Sequence, residues 1–111
     1  MKISVITVCY NAENVIEQTI RSVLSQNYTD IEYIIVDGAS QDHTMDIVRR
    51  YAADTRIRYL SEPDQGIYDA MNKGIQLATG EYLEFLNAGD VLADSDVIGT
   101  VVQKISQNPA D

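Results

Sequence analysis

Four short apolar runs recur along this chain, at residues 3–9, 33–36, 57–60 and 82–86, and an amphipathic stretch follows each one. The runs are short and rich in β-branched residues, so they read as strands. The stretches between them carry apolar residues at helical spacing. This βαβαβαβα alternation predicts an α/β fold, a Rossmann-like open parallel sheet with helices on both faces and right-handed crossovers. The expected strand order is 3-2-1-4, which sets the switch point between the first and fourth strands. Ligands of such sheets bind in the crevice outside the carboxyl ends of the strands. The fourth run stops abruptly at Asn87-Ala88-Gly89-Asp90, as a buried parallel strand does when it delivers polar groups to that edge.

The helical stretches are readable in order. Asn11 can cap the first helix, whose apolar stripe is Ile16, Ile20, Val23 and Leu24. The second helix spans about 43–53, with Ile47, Val48, Tyr51 and Ala52 inward, and Ser40 and Asp42 suit its cap. Residues 62–66 are turn chemistry. The third helix carries Ile67, Met71, Gly74, Ile75 and Ala78 on one face. Asp94 or Ser95 can cap the last helix, with Val97, Ile98, Val101, Val102 and Ile105 inward, and Asn108-Pro109 stops it.

A chain of 111 residues suits one domain with a real core. Eight basic against 17 acidic residues give a net charge of −9, which argues against a nucleic-acid polymer as partner because phosphate backbones need a cationic face. A nucleotide stays possible, since a divalent cation can hold its diphosphate. The single cysteine, Cys9, forms no internal disulfide, fits a reducing compartment and has no nucleophile environment. No stretch is long enough to span a membrane.

Each polar group at the sheet edge has two readings. Tyr10 offers a face on which a planar base could stack, or it covers the sheet end. Asp37 can accept a hydrogen bond from a base N–H, or it closes an Asx turn over Gly38, Ala39 and Ser40. Asp64, Asp69, Asn72 and Lys73 surround the start of the third helix as a ligand-facing group or a solvated face. Asp90 is a hard oxygen donor suited to Mg²⁺ or Mn²⁺, or a turn residue. A Gly-rich phosphate turn is absent after strand 1, where Cys9-Tyr10-Asn11-Ala12-Glu13 stands, so a dinucleotide site loses its main support. His43 has no ligand-spaced partner and reads as a surface residue.

Together these residues resemble the family 2 glycosyltransferases, in the nucleotide-binding half of the GT-A fold. The resemblance is carried by Ser4-Val5-Ile6-Thr7-Val8-Cys9-Tyr10-Asn11 with Gln26, and by Val36-Asp37-Gly38-Ala39-Ser40-Gln41-Asp42. It continues in Ser61-Glu62-Pro63-Asp64-Gln65-Gly66-Ile67-Tyr68-Asp69-Ala70-Met71-Asn72-Lys73-Gly74 and Phe85-Leu86-Asn87-Ala88-Gly89-Asp90. It implies that Thr7, Tyr10 and Asp37 hold the nucleoside, with Asp37 facing the base. Asp64, Asp69, Asn72 and Lys73 would lie along the donor diphosphate and sugar, Asn11, Gly66 and Asn87 would also bind the nucleotide-sugar, and Asp90 would bind the cation. The family's acidic cluster is reduced here, with Asn87 and Gly89 at two of its positions.

The resemblance further implies inverting transfer of a hexosyl group from a nucleotide-diphosphate sugar to a hydroxyl of a saccharide or lipid-linked saccharide. The setting would be bacterial surface-polysaccharide synthesis, in the cytoplasm or peripherally at the inner membrane face. Family members continue past the metal motif into an acceptor-binding half that carries the general base. The expectation is therefore that residues 1–111 are the donor-binding part, truncated on the C-terminal side and inactive alone. Two rivals stand beside it. One is a glycosyltransferase-like binding module without catalysis. The other is a receiver-like signalling domain, which needs clustered acids where Cys9-Tyr10-Asn11 stands.

Overall fold

The structure is a computed structural model and describes residues 1–107. The expected stop at Asn108-Pro109 lies outside the described residues. The elements run β1 (Ile3–Cys9), α1 (Ile16–Leu24), β2 (Ile31–Asp37), α2 (Thr44–Tyr51), β3 (Ile57–Ser61), α3 (Ile67–Leu77), β4 (Tyr82–Phe85) and α4 (Val97–Gln107). The strands form one parallel sheet in the order β3-β2-β1-β4, as the sequence predicts.

Alternation along the strands feeds two cores. Ile3, Val5, Tyr33 and Ile35 pack with Ile16, Ile20 and Val23 of α1, Val48 of α2 and Ile98 of α4. Ile6, Val8, Ile34 and Val36 pack on the other face against Ala70 of α3. The first two crossovers move outward through β2 to β3 with their helices on one face. The third returns past β1 to β4, so its helix lies on the opposite face. That is the arrangement a fixed crossover hand requires.

Several sequence expectations are corrected. β2 begins at Ile31, two residues earlier than the apolar run suggests. Its second residue is the charged Glu32, which masks the strand signal. The Glu32 carboxylate accepts from the hydroxyl and amide of Thr79 and from Ser4, with Lys2 and Arg58 at 3.8 and 3.9 Å. Burial alone raises this carboxyl, but Thr79, Lys2 and Arg58 outweigh burial and hold it below its ordinary range. β4 is no buried strand. Among the described residues it has one neighbour, β1, and all four of its residues are exposed, although Leu86 just beyond is buried.

The inward stripe of α3 also differs. Ala70 and Gly74 face the sheet, whereas Ile67 and Ile75 are 49% and 42% exposed. The cause is close approach: a Cβ on Gly74 would lie 2.5 Å from Ile6 Cγ2. Small residues therefore form the contact line, and Ile75, about 100° further round the helix, is carried off it. On α4 only Ile98 is fully buried and Val101 is exposed. Ahead of α4 the Asp94 carboxylate accepts from the Asp96 amide at 2.8 Å, and the first turn of the helix itself is held by Gln26. Gln26 accepts from the Ile98 amide at 3.0 Å and donates to the Asp94 carbonyl at 2.6 Å.

Asn11 does not cap α1, which starts behind Val15 with no side-chain cap. Asn11 instead takes a left-handed backbone (φ 48) and bridges two loops. Its amide donates to Ser40 Oγ and its side chain accepts from the Gln41 amide. The second helix begins at Thr44, one residue after the expected His43, with Asp42 accepting from its amide.

Gly74→Ala gains helix propensity but forces a methyl into Ile6, and overpacking costs about 1–3 kcal/mol. The expected outcome in urea denaturation is net destabilisation; a more stable variant would contradict the packing. Glu32 has a depressed folded-state pKa, so its contribution is present above the unfolded value and is lost as pH falls through the lower folded one. Glu32→Gln should flatten the acid limb of the stability–pH curve, and an unchanged limb would count against the network.

Candidate functional site

The carboxyl ends of β1, β2 and β3 lie level, with Cys9 beside Asp37 and Asp37 beside Ser61. Beyond β4 the chain continues along β1, the amides of Leu86 and Ala88 bonding to the carbonyls of Ile6 and Val8. The loops after β1, β3 and β4 thereby converge, and α3 starts among them. They enclose an open cleft of about 610 Å³ at the switch point between β1 and β4.

Five of the sequence-predicted residues line this cleft. Tyr10 and Asn11 come from the β1 end, Asp64 and Gly66 from the loop before α3, and Asn87 from the β4 end. Tyr10 is 59% exposed, so its ring face is available. Gly66 has φ 119, a conformation that strongly favours glycine, and it carries the chain into α3. One Asp64 oxygen, Oδ1, accepts from the Gly66 amide at 3.1 Å.

Asp69, Asn72 and Lys73 do not line the cleft. Asp69 accepts from the Gln65 amide at 2.9 Å. Lys73 donates to the Pro63 carbonyl at 2.9 Å and pairs with Glu62 and Asp69 at 3.1 and 3.5 Å. The two residues thus brace the loop that presents Asp64. Asn72 stands exposed on α3.

Thr7 and Asp37 are sealed off, both at 0% exposure. Strand alternation places Thr7 inside the sheet, where its hydroxyl meets the Tyr33 hydroxyl at 2.8 Å. The Asp37 carboxylate accepts from the Ser40 amide at 2.9 Å, the Ser40 hydroxyl, the Ser61 hydroxyl at 2.8 Å and the Cys9 thiol at 3.5 Å. Of its two sequence readings, the Asx turn is the one formed. Cys9 gains no reactivity there: burial, then the Asp37 charge, push its thiol far above the ordinary range.

Asp90 is exposed just past the cleft, its amide closing a turn onto the Asn87 carbonyl at 2.9 Å. No cluster of three or more His, Cys, Asp or Glu side chains suited to a metal occurs among the described residues. The donor set at the β4 end is one carboxylate and the Asn87 amide. Mg²⁺ and Mn²⁺ sites often use one or two carboxylates plus substrate phosphates, so this set fits a cation carried by a diphosphate. Sequence reasoning missed Gly38, Ile67, Ala70 and Ser61. Gly38 had a signal, a glycine directly after a strand-end Asp; Ser61 had none without the register.

No described helix is long and apolar enough to cross a membrane. The chain is 38% identical over 111 residues to a PGL/p-HBAD biosynthesis glycosyltransferase of Mycobacterium bovis, covering 97% of this chain and 43% of that protein. It thus spans less than half the length of this curated relative. Among solved structures, the fold superimposes on S. aureus TarS 1-349 in complex with UDP-GlcNAc at a TM-score of 0.90 and 25% identity, over 96% of this chain and 32% of that one. It likewise matches the mannosyltransferase PcManGT of Pyrobaculum calidifontis, in complex with GDP-Man and Mn²⁺, at 0.89 and 27% identity, over 97% and 33%. The model of the glycosyl transferase family 2 matches residues 4–111. With this sheet, this cleft and that match, the chain belongs to glycosyl transferase family 2.

Proposed function

We propose that this chain binds the donor of an inverting glycosyltransferase, a nucleotide-diphosphate sugar, in the cleft at the β1–β4 switch point. The observation that carries the reading is the convergence of Tyr10 and Asn11, Asp64 and Gly66, and Asn87 from three separate chain segments on that one cleft. An exposed aromatic ring suits a base, by stacking worth about 1–3 kcal/mol. The start of α3 suits a diphosphate, because free amides and the helix dipole favour an anion there. The relatives support the same reading through the donors in the TarS and PcManGT complexes.

Asp90, with Asn87, would hold a divalent cation together with the donor's diphosphate, and Mg²⁺ and Mn²⁺ both suit such oxygen donors. The cation would supply Lewis-acid stabilisation of the leaving diphosphate. Asp69 and Lys73 act by holding the Asp64 loop in place. We assign no general base to residues 1–107. That carboxylate and the acceptor site, for a saccharide or lipid-linked saccharide hydroxyl, belong in this reading to sequence after Asp111. The isolated chain is accordingly expected to bind donor and to transfer nothing. The envelope-polysaccharide setting and a cytoplasmic or membrane-peripheral location rest on the resemblance.

Isothermal calorimetry with UDP-, GDP- and dTDP-sugars plus Mn²⁺ tests the site. Binding of at least one is expected, and no binding by any in a folded sample overturns it. Asp90→Ala should remove the Mn²⁺-dependent gain in affinity, about tenfold or more, while metal-free nucleotide affinity stays unchanged. An intact Mn²⁺ effect in that variant would remove Asp90 from the role.

A further inference from the structure

The β4 end offers a cation one carboxylate, Asp90, and that residue is exposed. Where its side chain can reach depends on the backbone that carries it. Residues 87–90 form a turn, closed by the Asp90 amide on the Asn87 carbonyl at 2.9 Å, with Gly89 at φ 98 in the third position, as a type II turn requires. This turn is tied to α1 on both sides of Asp90. Before it, the Gly89 amide donates to Thr19 Oγ1 at 2.9 Å, and the Gly89 carbonyl accepts from Gln18 Nε2 at 3.3 Å. After it, the Leu92 amide donates to Ser22 Oγ at 3.2 Å. Both hydroxyls direct their own proton back into the helix. Thr19 donates to the Val15 carbonyl at 3.5 Å, and Ser22 donates to the Thr19 carbonyl at 2.8 Å. Each is thereby left as an acceptor for a loop amide. Thr19 is fully buried, on the same helix as Ile16, Ile20 and Val23, which fix α1 in the core. Ala88 and Leu92 pack against that core as well and bracket the exposed pair Asp90 and Val91.

We infer that Thr19 and Ser22 of α1 are positioning residues for the cation site: their hydroxyls hold the peptide groups that flank Asp90 and so aim its carboxylate. This rests on the reading of Asp90 as a cation ligand given above. Neither hydroxyl touches the cation or the nucleotide. In a site with several carboxylates, the ligands constrain one another through the shared ion. With one, the order must come from the residues behind it. A loop held in advance spares the ion the ordering of an exposed segment, which would otherwise oppose binding. Helical spacing makes α1 suited to the task. Thr19 and Ser22 are three residues apart, and Gln18 and Ser22 four, so they share a face turned to the loop after β4. The glycine at position 89 belongs to the same device. Its positive φ permits the turn, and its backbone carries two of the three bonds to α1.

The test is Mn²⁺ binding by the 111-residue chain saturated with UDP or with GDP. Free Mn²⁺ is counted by its solution EPR signal, and metal-free nucleotide affinity is read by calorimetry. Thr19→Val keeps the shape of the side chain and removes the acceptor. The expected result is a loss of about tenfold in Mn²⁺ affinity, as for other partners standing behind a metal ligand, with metal-free nucleotide affinity unchanged. Thr19→Ser keeps the hydroxyl and should keep the wild-type Mn²⁺ affinity. Ser22→Ala frees the Leu92 amide and should lower Mn²⁺ affinity in the same direction, and it carries the test if Thr19→Val fails to fold. Wild-type Mn²⁺ affinity in both Thr19→Val and Ser22→Ala overturns the inference. A variant that loses as much nucleotide affinity without Mn²⁺ as with it also overturns it, because the cleft as a whole has then loosened. Loss in Thr19→Ser equal to that in Thr19→Val overturns the role of the hydroxyl. Asp90→Ala, measured alongside, separates the two failures. If it loses Mn²⁺ while the α1 variants keep it, the cation site stands and only the inference falls. If it too keeps Mn²⁺, or the wild type binds none, the cation reading falls and the inference falls with it.

Discussion

The buried carboxyl of Asp37 organises the functional end of this sheet. A polar group closed to water costs free energy unless it is hydrogen-bonded, and a buried carboxyl group demands several donors. Here the donors come from Cys9 on β1, Ser40 in the loop after β2 and Ser61 at the end of β3. Satisfying one side chain therefore draws three strand ends level. Ser40 passes the constraint on, since it also accepts from the Asn11 amide. Thr44 and Asp42 accept from Ala12 and Glu13 in the same way. The loop after β1 is thereby laid on the loop after β2, and Tyr10 is left projecting with its ring exposed.

The opposite wall depends on close packing rather than on hydrogen bonds. Gly74 lets α3 sit directly on Ile6, with Val36 also within reach. That closeness brings the first turn of α3, and the Asp64–Gly66 corner before it, up to the β1 and β4 ends. The same closeness leaves Ile67 and Ile75 uncovered on the flank of α3, while Leu83 and Phe85 are exposed on the edge strand β4. One wall of the cleft is thus set by polar satisfaction and the other by the lack of a methyl group.

Much of the architecture is legible in the residues. Strand order and parallel pairing follow from apolar runs at even spacing and from the handedness of crossovers, which allow few alternatives. The misreadings of α3 and β4 share one cause, that a period reports which residues are apolar and not which ones touch. Ile67 and Ile75 match the helical stripe of α3, yet a glycine in that stripe moves the contact line to Ala70 and Gly74. Tyr82 to Phe85 look like a buried strand, and only the strand order reveals an edge. At the site, the residues of Tyr10, Asn11, Asp64, Gly66 and Asn87 reach the cleft that the motifs suggest. Asp37 and Thr7 do not, because a strand side chain at or near the sheet edge can turn into the protein as readily as out of it. That choice depends on partners such as Ser61 and Tyr33, which lie 24 and 26 residues away.

The central claim is that nucleotide binds between Tyr10 and the Asp64–Gly66 corner. Titrating ¹⁵N-labelled protein with UDP and with GDP in Mg²⁺ reads that location directly. The amide signals of Tyr10, Asn11, Gly38, Asp64 and Gly66 should move together and saturably with at least one of the two. Saturable shifts confined to other surfaces, such as the Arg49–Arg50 side of α2, with these five amides unmoved, would contradict it.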